Sequence, residues 1–127
     1  METNSKKERI CILIVDDCAL TRRMVADILR PDGYNLTLGS GPMGTGVMII
    51  QNRPRVALID INMPGVSGPE LIKANRKLAD EKGTRLLLFS ALTEAELESI
   101  QKECGADGYI RKTKNYANLR EEIKKWL

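Results

Sequence analysis

Histidine is missing from all 127 residues of the chain. The chain therefore cannot itself be a histidine kinase or a histidine phosphotransfer protein. It also has no base for a Ser-His or Cys-His nucleophile. The three cysteines, Cys11, Cys18 and Cys104, are odd in number and show no CxxC spacing. With no histidine beside them, they give no support for a structural zinc site. Reduced, buried cysteines of a cytoplasmic protein are the expectation. Long apolar runs are also missing. Ile10 to Val15 is too short to span a membrane and ends in two aspartates, and no cleavage-site pattern follows it.

Charge of one sign is scarce too. The net charge of +3 does not imply nucleic acid without a clustered basic face. Lysines and arginines gather near both ends (Lys6, Lys7, Arg9; Arg111, Lys112, Lys114, Lys124, Lys125), and solvated surface is the expected role. Hydrophobic residues make up 43% and charged residues 29%, as in an ordinary globular domain. A chain of this length forms one domain and buries roughly two-thirds of its unfolded surface. Met1 to Glu8 is a polar tail without expected structure, which leaves 9–127 as the domain.

The stretch that organises the rest is RVALIDINMPGVSGPEL, Arg55 to Leu71. Val56 to Ile59 is an unbroken apolar run, as in a strand covered on both faces. It ends in Asp60, in the crevice where open α/β sheets bind ligands. Met63-Pro64-Gly65 breaks the strand. Ser67 and Glu70 have the spacing of a capping box, so a helix is expected from about Gly68 to Asp80.

The same pattern recurs along the chain. Arg9 to Val15 reads as a first strand ending in Asp16 and Asp17. A helix follows over Cys18 to Leu29, with Leu20, Met24 and Ile28 on its apolar face. Tyr34 to Leu38 alternates like an edge strand. Gly39 to Gly46 carries a literal GxGxxG at Gly39, Gly41 and Gly44. Pro42 inside the motif and the short helix after it, Thr45 to Gln51, argue against a dinucleotide site and for a mobile loop. Arg85 to Phe89 is a fourth strand ending in Ser90. Thr93 and Glu96 cap a helix running to about Glu103, with Gly105 as its C-terminal cap. Gly108 to Arg111 is a fifth strand. Asn115 to Leu127 is a last helix, with Leu119, Ile123 and either Trp126 or Leu127 facing inward. Strands alternating with helices imply right-handed crossovers and a parallel sheet covered on both sides.

DINMPGVSGPEL resembles the phosphoacceptor segment of response-regulator receiver domains, the family of the bacterial chemotaxis response regulator. The resemblance extends from ILIVDD (Ile12 to Asp17) through LLLFSA (Leu86 to Ala91) to GADGYIRK (Gly105 to Lys112). It implies a flavodoxin-like, doubly wound, five-stranded parallel sheet of order 2-1-3-4-5 with five helices. It also implies a two-component or phosphorelay function, in which Asp60 accepts a phosphoryl group from a histidine kinase or histidine phosphotransfer protein. Mg²⁺ would be held by Asp16, Asp17, Asp60 and the backbone carbonyl of Asn62. Ser90 and Lys112 would donate to the phosphoryl oxygens. Ser90 and Tyr109 would act as the switch, remodelling the face made by helix four, strand five and helix five.

On this reading the domain turns over only its own phosphoryl group. It acts through a downstream protein target or a fused output domain, without direct nucleic-acid or membrane contact. The family's proline after the lysine is replaced by Thr113, so a trans Lys112–Thr113 bond and a rearranged loop are expected. Two other readings compete. One is a receiver-like interaction module that is never phosphorylated. The other is an aspartyl-nucleophile phosphatase of the haloacid-dehalogenase type, discounted because Asn62 stands where that family has a second aspartate.

Overall fold

The structure, a computed structural model, describes residues 9–127. The expected polar tail, with Lys6 and Lys7, lies outside the described residues. Five strands alternate with five helices. They are β1 (Cys11–Val15), α1 (Ala19–Leu29), β2 (Asn35–Gly39), α2 (Thr45–Asn52), β3 (Val56–Asp60), α3 (Gly68–Lys82), β4 (Arg85–Ser90), α4 (Glu94–Cys104), β5 (Gly108–Arg111) and α5 (Leu119–Lys124). The sheet is parallel throughout and ordered β2-β1-β3-β4-β5.

Alternate residues of the central strands feed two separate cores, because successive side chains of a strand point to opposite faces. Leu13, Val15, Ala57, Ile59, Leu86 and Leu88 pack with Ile49, Leu71, Ile72 and Leu97, on the side of α2, α3 and α4. Ile12, Ile14, Val56, Leu58, Leu87 and Phe89 pack with Val25, Leu29, Leu119 and Ile123, on the side of α1 and α5. Both faces are therefore dry, which is why these strands are apolar without interruption. Among the described residues, no helix is long and apolar enough to cross a membrane.

Both capping boxes form as the sequence predicts, Ser67 with Glu70 and Thr93 with Glu96. Gly105 caps α4 in the left-handed conformation. Among the described residues no peptide bond is cis, so Lys112–Thr113 is trans as expected.

Three expectations need correction. The buried face of α1 is Thr21, Val25, Ala26 and Leu29, while Leu20 is 64% exposed. The apolar stripe read from the sequence was displaced by one position, because Thr21 and Ala26 tolerate burial without announcing it. The last helix is shorter than Asn115 to Leu127. Asn115 and Tyr116 take left-handed backbone angles (φ 56° and 53°), and α5 proper starts at Leu119. Finally, only Cys104 of the cysteines is buried; Cys18 is exposed and Cys11 is intermediate.

Candidate functional site

Parallel strands bring all their C-terminal ends to one edge of the sheet, and register decides which residues meet there. Val15 of β1 pairs with Ile59 of β3, so the residues that follow, Asp16 and Asp60, emerge side by side. Asp60 in turn pairs with Phe89, and Ser90 with Arg111, which sets Lys112 just past the edge of β5.

Three carboxylates converge there. Asp16, Asp17 and Asp60 each present an oxygen, all within 4.8 Å of one another. Asp16 is buried, Asp60 half-buried and Asp17 exposed. Lys112 reaches into the cluster, its Nζ donating to Asp16 Oδ2 at 2.9 Å and to Asp60 Oδ1 at 3.3 Å. The other oxygen of Asp16 accepts the Cys18 N–H at 2.9 Å. Arg22 donates to the Asp16 backbone carbonyl, fixing the turn from the other side.

The electrostatics follow from crowding. Burial raises the Asp60 pKa; the Lys112 charge opposes this, and the charges of Asp16 and Asp17 add to it. Burial pulls Lys112 down, but the hydrogen bond to Asp16 and the charges of Asp16 and Asp60 outweigh it and raise its pKa. Three carboxylates face one ammonium, so the cluster is short of positive charge. Its donors are hard oxygens, and a small divalent cation fits both the charge and the donor chemistry.

Of the remaining predicted residues, Ser90 stands beside this centre and Tyr109 does not. Ser90 is buried at the end of β4, and its Oγ accepts the Leu92 N–H at 3.2 Å while its hydroxyl proton stays free to donate elsewhere. The Ser90 carbonyl accepts the Lys112 N–H at 2.8 Å, tying the two strand ends together. Asn62 is exposed on the loop after β3. Tyr109 lies apart from the carboxylates, lining a cavity of about 370 Å³ with Glu94, Glu122, Gly108 and Trp126. Burial, with the charges of Glu98 and Glu94, raises its hydroxyl pKa.

Sequence reasoning missed two supports. Phe89 lies under Lys112, whose Nζ is 5.1 Å from the ring centroid, a cation–π contact. Gly68 starts α3 so close to β3 that a Cβ there would sit 2.2 Å from the Asp60 carbonyl oxygen and 2.9 Å from Ile61 Cα. A glycine at the first turn of an otherwise well-capped helix was the available signal. Gly39 ends β2, its carbonyl accepting the Asp16 N–H at 3.1 Å, and Gly44 precedes α2 in a left-handed conformation.

A model of the response regulator receiver domain matches residues 12–124. The chain belongs to that family. This receiver is 35% identical over 117 residues to chemotaxis protein CheY-3 of Vibrio cholerae, covering 90% of this chain and 88% of that one. It is 28% identical over 116 residues to sporulation initiation phosphotransferase F of Bacillus subtilis, covering 91% and 92%. Among solved structures, CheY4 of Vibrio cholerae superposes with a TM-score of 0.83 at 28% identity, covering 94% of this chain and 99% of that one. TrrA of Thermotoga maritima, solved in complex with Mg²⁺–BeF, gives a TM-score of 0.79 at 26% identity, covering 93% and 99%. The receiver is thus a signalling domain of two-component systems, with the flavodoxin-like fold its sequence implied.

Proposed function

We propose that Asp60 is the phosphoacceptor of this receiver and that the phosphodonor is a phosphohistidine on a partner protein. The chain acts in the cytoplasm, and the partner is a histidine kinase or histidine phosphotransfer protein, since the chain has no histidine of its own. The observation that carries this reading is the grouping of three carboxylates around the Lys112 ammonium at the C-terminal edge of the sheet. Asp16, Asp17, Asp60 and the backbone carbonyl of Asn62 are the groups that would hold Mg²⁺. When bound, Mg²⁺ supplies the charge that offsets the phosphoryl oxygens.

The chain's own residues do the rest. A carboxylate oxygen of Asp60 attacks phosphorus in line; the P–N bond breaks, and its electron pair leaves with the partner's imidazole. Lys112 holds one Asp60 oxygen at 3.3 Å, leaving the other as the attacking atom. Lys112 then shifts its donors to the phosphoryl oxygens, and Ser90 turns its hydroxyl to another. Both donors already stand at the C-terminal edge of the sheet, so only side chains need to move. Ser90 moving towards the phosphoryl group opens space for Tyr109 to turn inward. That change alters the α4–β5–α5 face, which is read by a downstream protein or a fused output domain.

Beryllofluoride, a phosphoryl mimic, tests this reading without turnover. In ¹⁹F NMR the wild-type protein is expected to give one bound signal that requires Mg²⁺ and disappears in Asp60→Ala. A bound signal that survives in Asp60→Ala would overturn the assignment.

A further inference from the structure

The α4–β5–α5 face carries a chemistry of its own. Two adjoining cavities, of about 370 and 250 Å³, run along it. Tyr109, Glu94 and Glu122 line both; Trp126 and Gly108 close one end, and Thr113 and Asn118 the other. Trp126 occupies the space that a side chain at Gly108 would take, since a Cβ there would meet Trp126 Cζ2 at 2.3 Å. Glu94 lines both cavities with the aromatics, whereas Glu98 lines neither and stands one turn further along the helix. Glu94 and Glu98 lie four residues apart on α4 and both charges act on Tyr109.

Among the described residues, the other charges here are already engaged. Glu122 holds Lys125 at 2.9 Å, Asp107 holds Arg76 at 3.0 Å, and Arg111 donates through Nε to the Leu92 carbonyl at 2.9 Å. Glu94 and Glu98 have no ion-pair partner among the described residues. Like charges at this spacing cost a helix some stability, and the chain as a whole is positive, +3. Glu94 is therefore the carboxylate of this groove left without an ion-pair partner, while Arg111, hydrogen-bonded to a neutral carbonyl, keeps its charge at the far cavity.

From the juxtaposition of the unpaired Glu94 with Tyr109 and Trp126, with Glu98 one turn away on α4, we infer that the α4–β5–α5 groove receives an arginine-bearing segment of a partner protein. The inference rests on the reading of this face as the output surface and adds what it recognises. A guanidinium is planar, donates several N–H groups to carboxylates and stacks on aromatic faces, whereas an ammonium offers only a point charge. Glu94 takes the N–H groups, Glu98 adds its charge from the next turn, and Trp126 or Tyr109 takes the flat face.

Trp126 is the sole tryptophan, so its fluorescence reports on this groove alone. The probe is an acetylated, amidated hexapeptide, Ala-Arg-Ala-Ala-Arg-Ala, with lysine and glutamate counterparts. Each is titrated into the full chain, with Mg²⁺, with and without beryllofluoride. The arginine peptide is expected to change Trp126 emission saturably, the lysine peptide to bind more weakly, and the glutamate peptide not at all. The E94Q/E98Q double variant, with unchanged circular dichroism, should bind the arginine peptide about tenfold more weakly, as charge-assisted hydrogen bonds are lost. Three results would overturn the inference: no saturable arginine binding in either state, equal binding of the glutamate peptide, or unweakened binding by the double variant. If beryllofluoride alters the Trp126 signal while no arginine peptide binds, the output-face reading stands and the arginine inference falls. If the arginine peptide binds equally in both states, the groove's chemistry stands and the switch reading falls.

Discussion

The ammonium of Lys112 lies 2.9 Å from the buried carboxylate of Asp16, joining residues 96 positions apart. Asp16 is only 1% exposed, and Lys112 is the cation paired with it. Removing one member of such a pair strands the other. Lys112→Ala is therefore expected to lose about 2 kcal/mol of stability in chelator-treated buffer, somewhat less than a fully enclosed pair. Added Mg²⁺ should recover much of that loss, because a dication can replace the missing charge. Urea unfolding with and without Mg²⁺ measures both. An identical loss in the two buffers would mean that Lys112 acts through its packing on Phe89 instead.

Two glycines make a paired prediction about what a methyl group meets. At Gly68 the obstacle is backbone, the Asp60 carbonyl oxygen at 2.2 Å; at Gly108 it is the Trp126 ring at 2.3 Å. Backbone cannot swing away, whereas a side chain can. Gly68→Ala should cost about 2 kcal/mol or more by overpacking and slow phosphoryl acceptance at Asp60. Gly108→Ala should cost less, but shift Trp126 emission to longer wavelength as the ring is pushed into water. Denaturant midpoints and emission spectra of the two variants separate these outcomes.

Acid stability offers a third check. Arg120 donates to both oxygens of Asp32, at 3.0 and 2.7 Å, clamping α5 to the turn after α1. That hydrogen bond, more than the opposing burial, lowers the Asp32 pKa below its ordinary value. A depressed carboxyl pKa gives stability that is present above the unfolded value and is lost as pH falls through the folded one. Arg120→Ala should therefore be slightly less stable than wild type at neutral pH. The gap should close below roughly pH 4, where the unfolded carboxyl protonates. Because the pair is solvent-exposed, the effect should also shrink in high salt. A pH-independent gap would assign the role of Arg120 to packing.

Much of this molecule was legible in the sequence because burial on both faces leaves a plain mark. Runs such as VALI and LLLF are strands between two layers of helices, and the polar residue ending each one locates the edge where the site lies. Capping boxes and the Gly105 cap fixed helix ends to within a residue or two. What failed was subtler. Thr21 and Ala26 replace the Leu20 and Met24 face of α1, since small residues can be buried without looking apolar. The left-handed Asn115 and Tyr116 interrupt a segment whose pattern reads as continuous helix, and nothing in side-chain periodicity reports backbone handedness. Gly68 was visible only as a helix start; its approach to Asp60 is a property of the packed pair.

The central claim is that Asp60 accepts a phosphoryl group with the help of a divalent cation. Intact-protein mass spectrometry after incubation with Mg²⁺ and acetyl phosphate tests it most directly, with Asp60→Asn and metal-free samples alongside. A single phosphoryl adduct on the wild-type chain, absent from both controls, is the predicted result. If the wild type forms no adduct even at the shortest times while Mg²⁺ still binds, Asp60 is not an acceptor and the domain acts as an unphosphorylated interaction module.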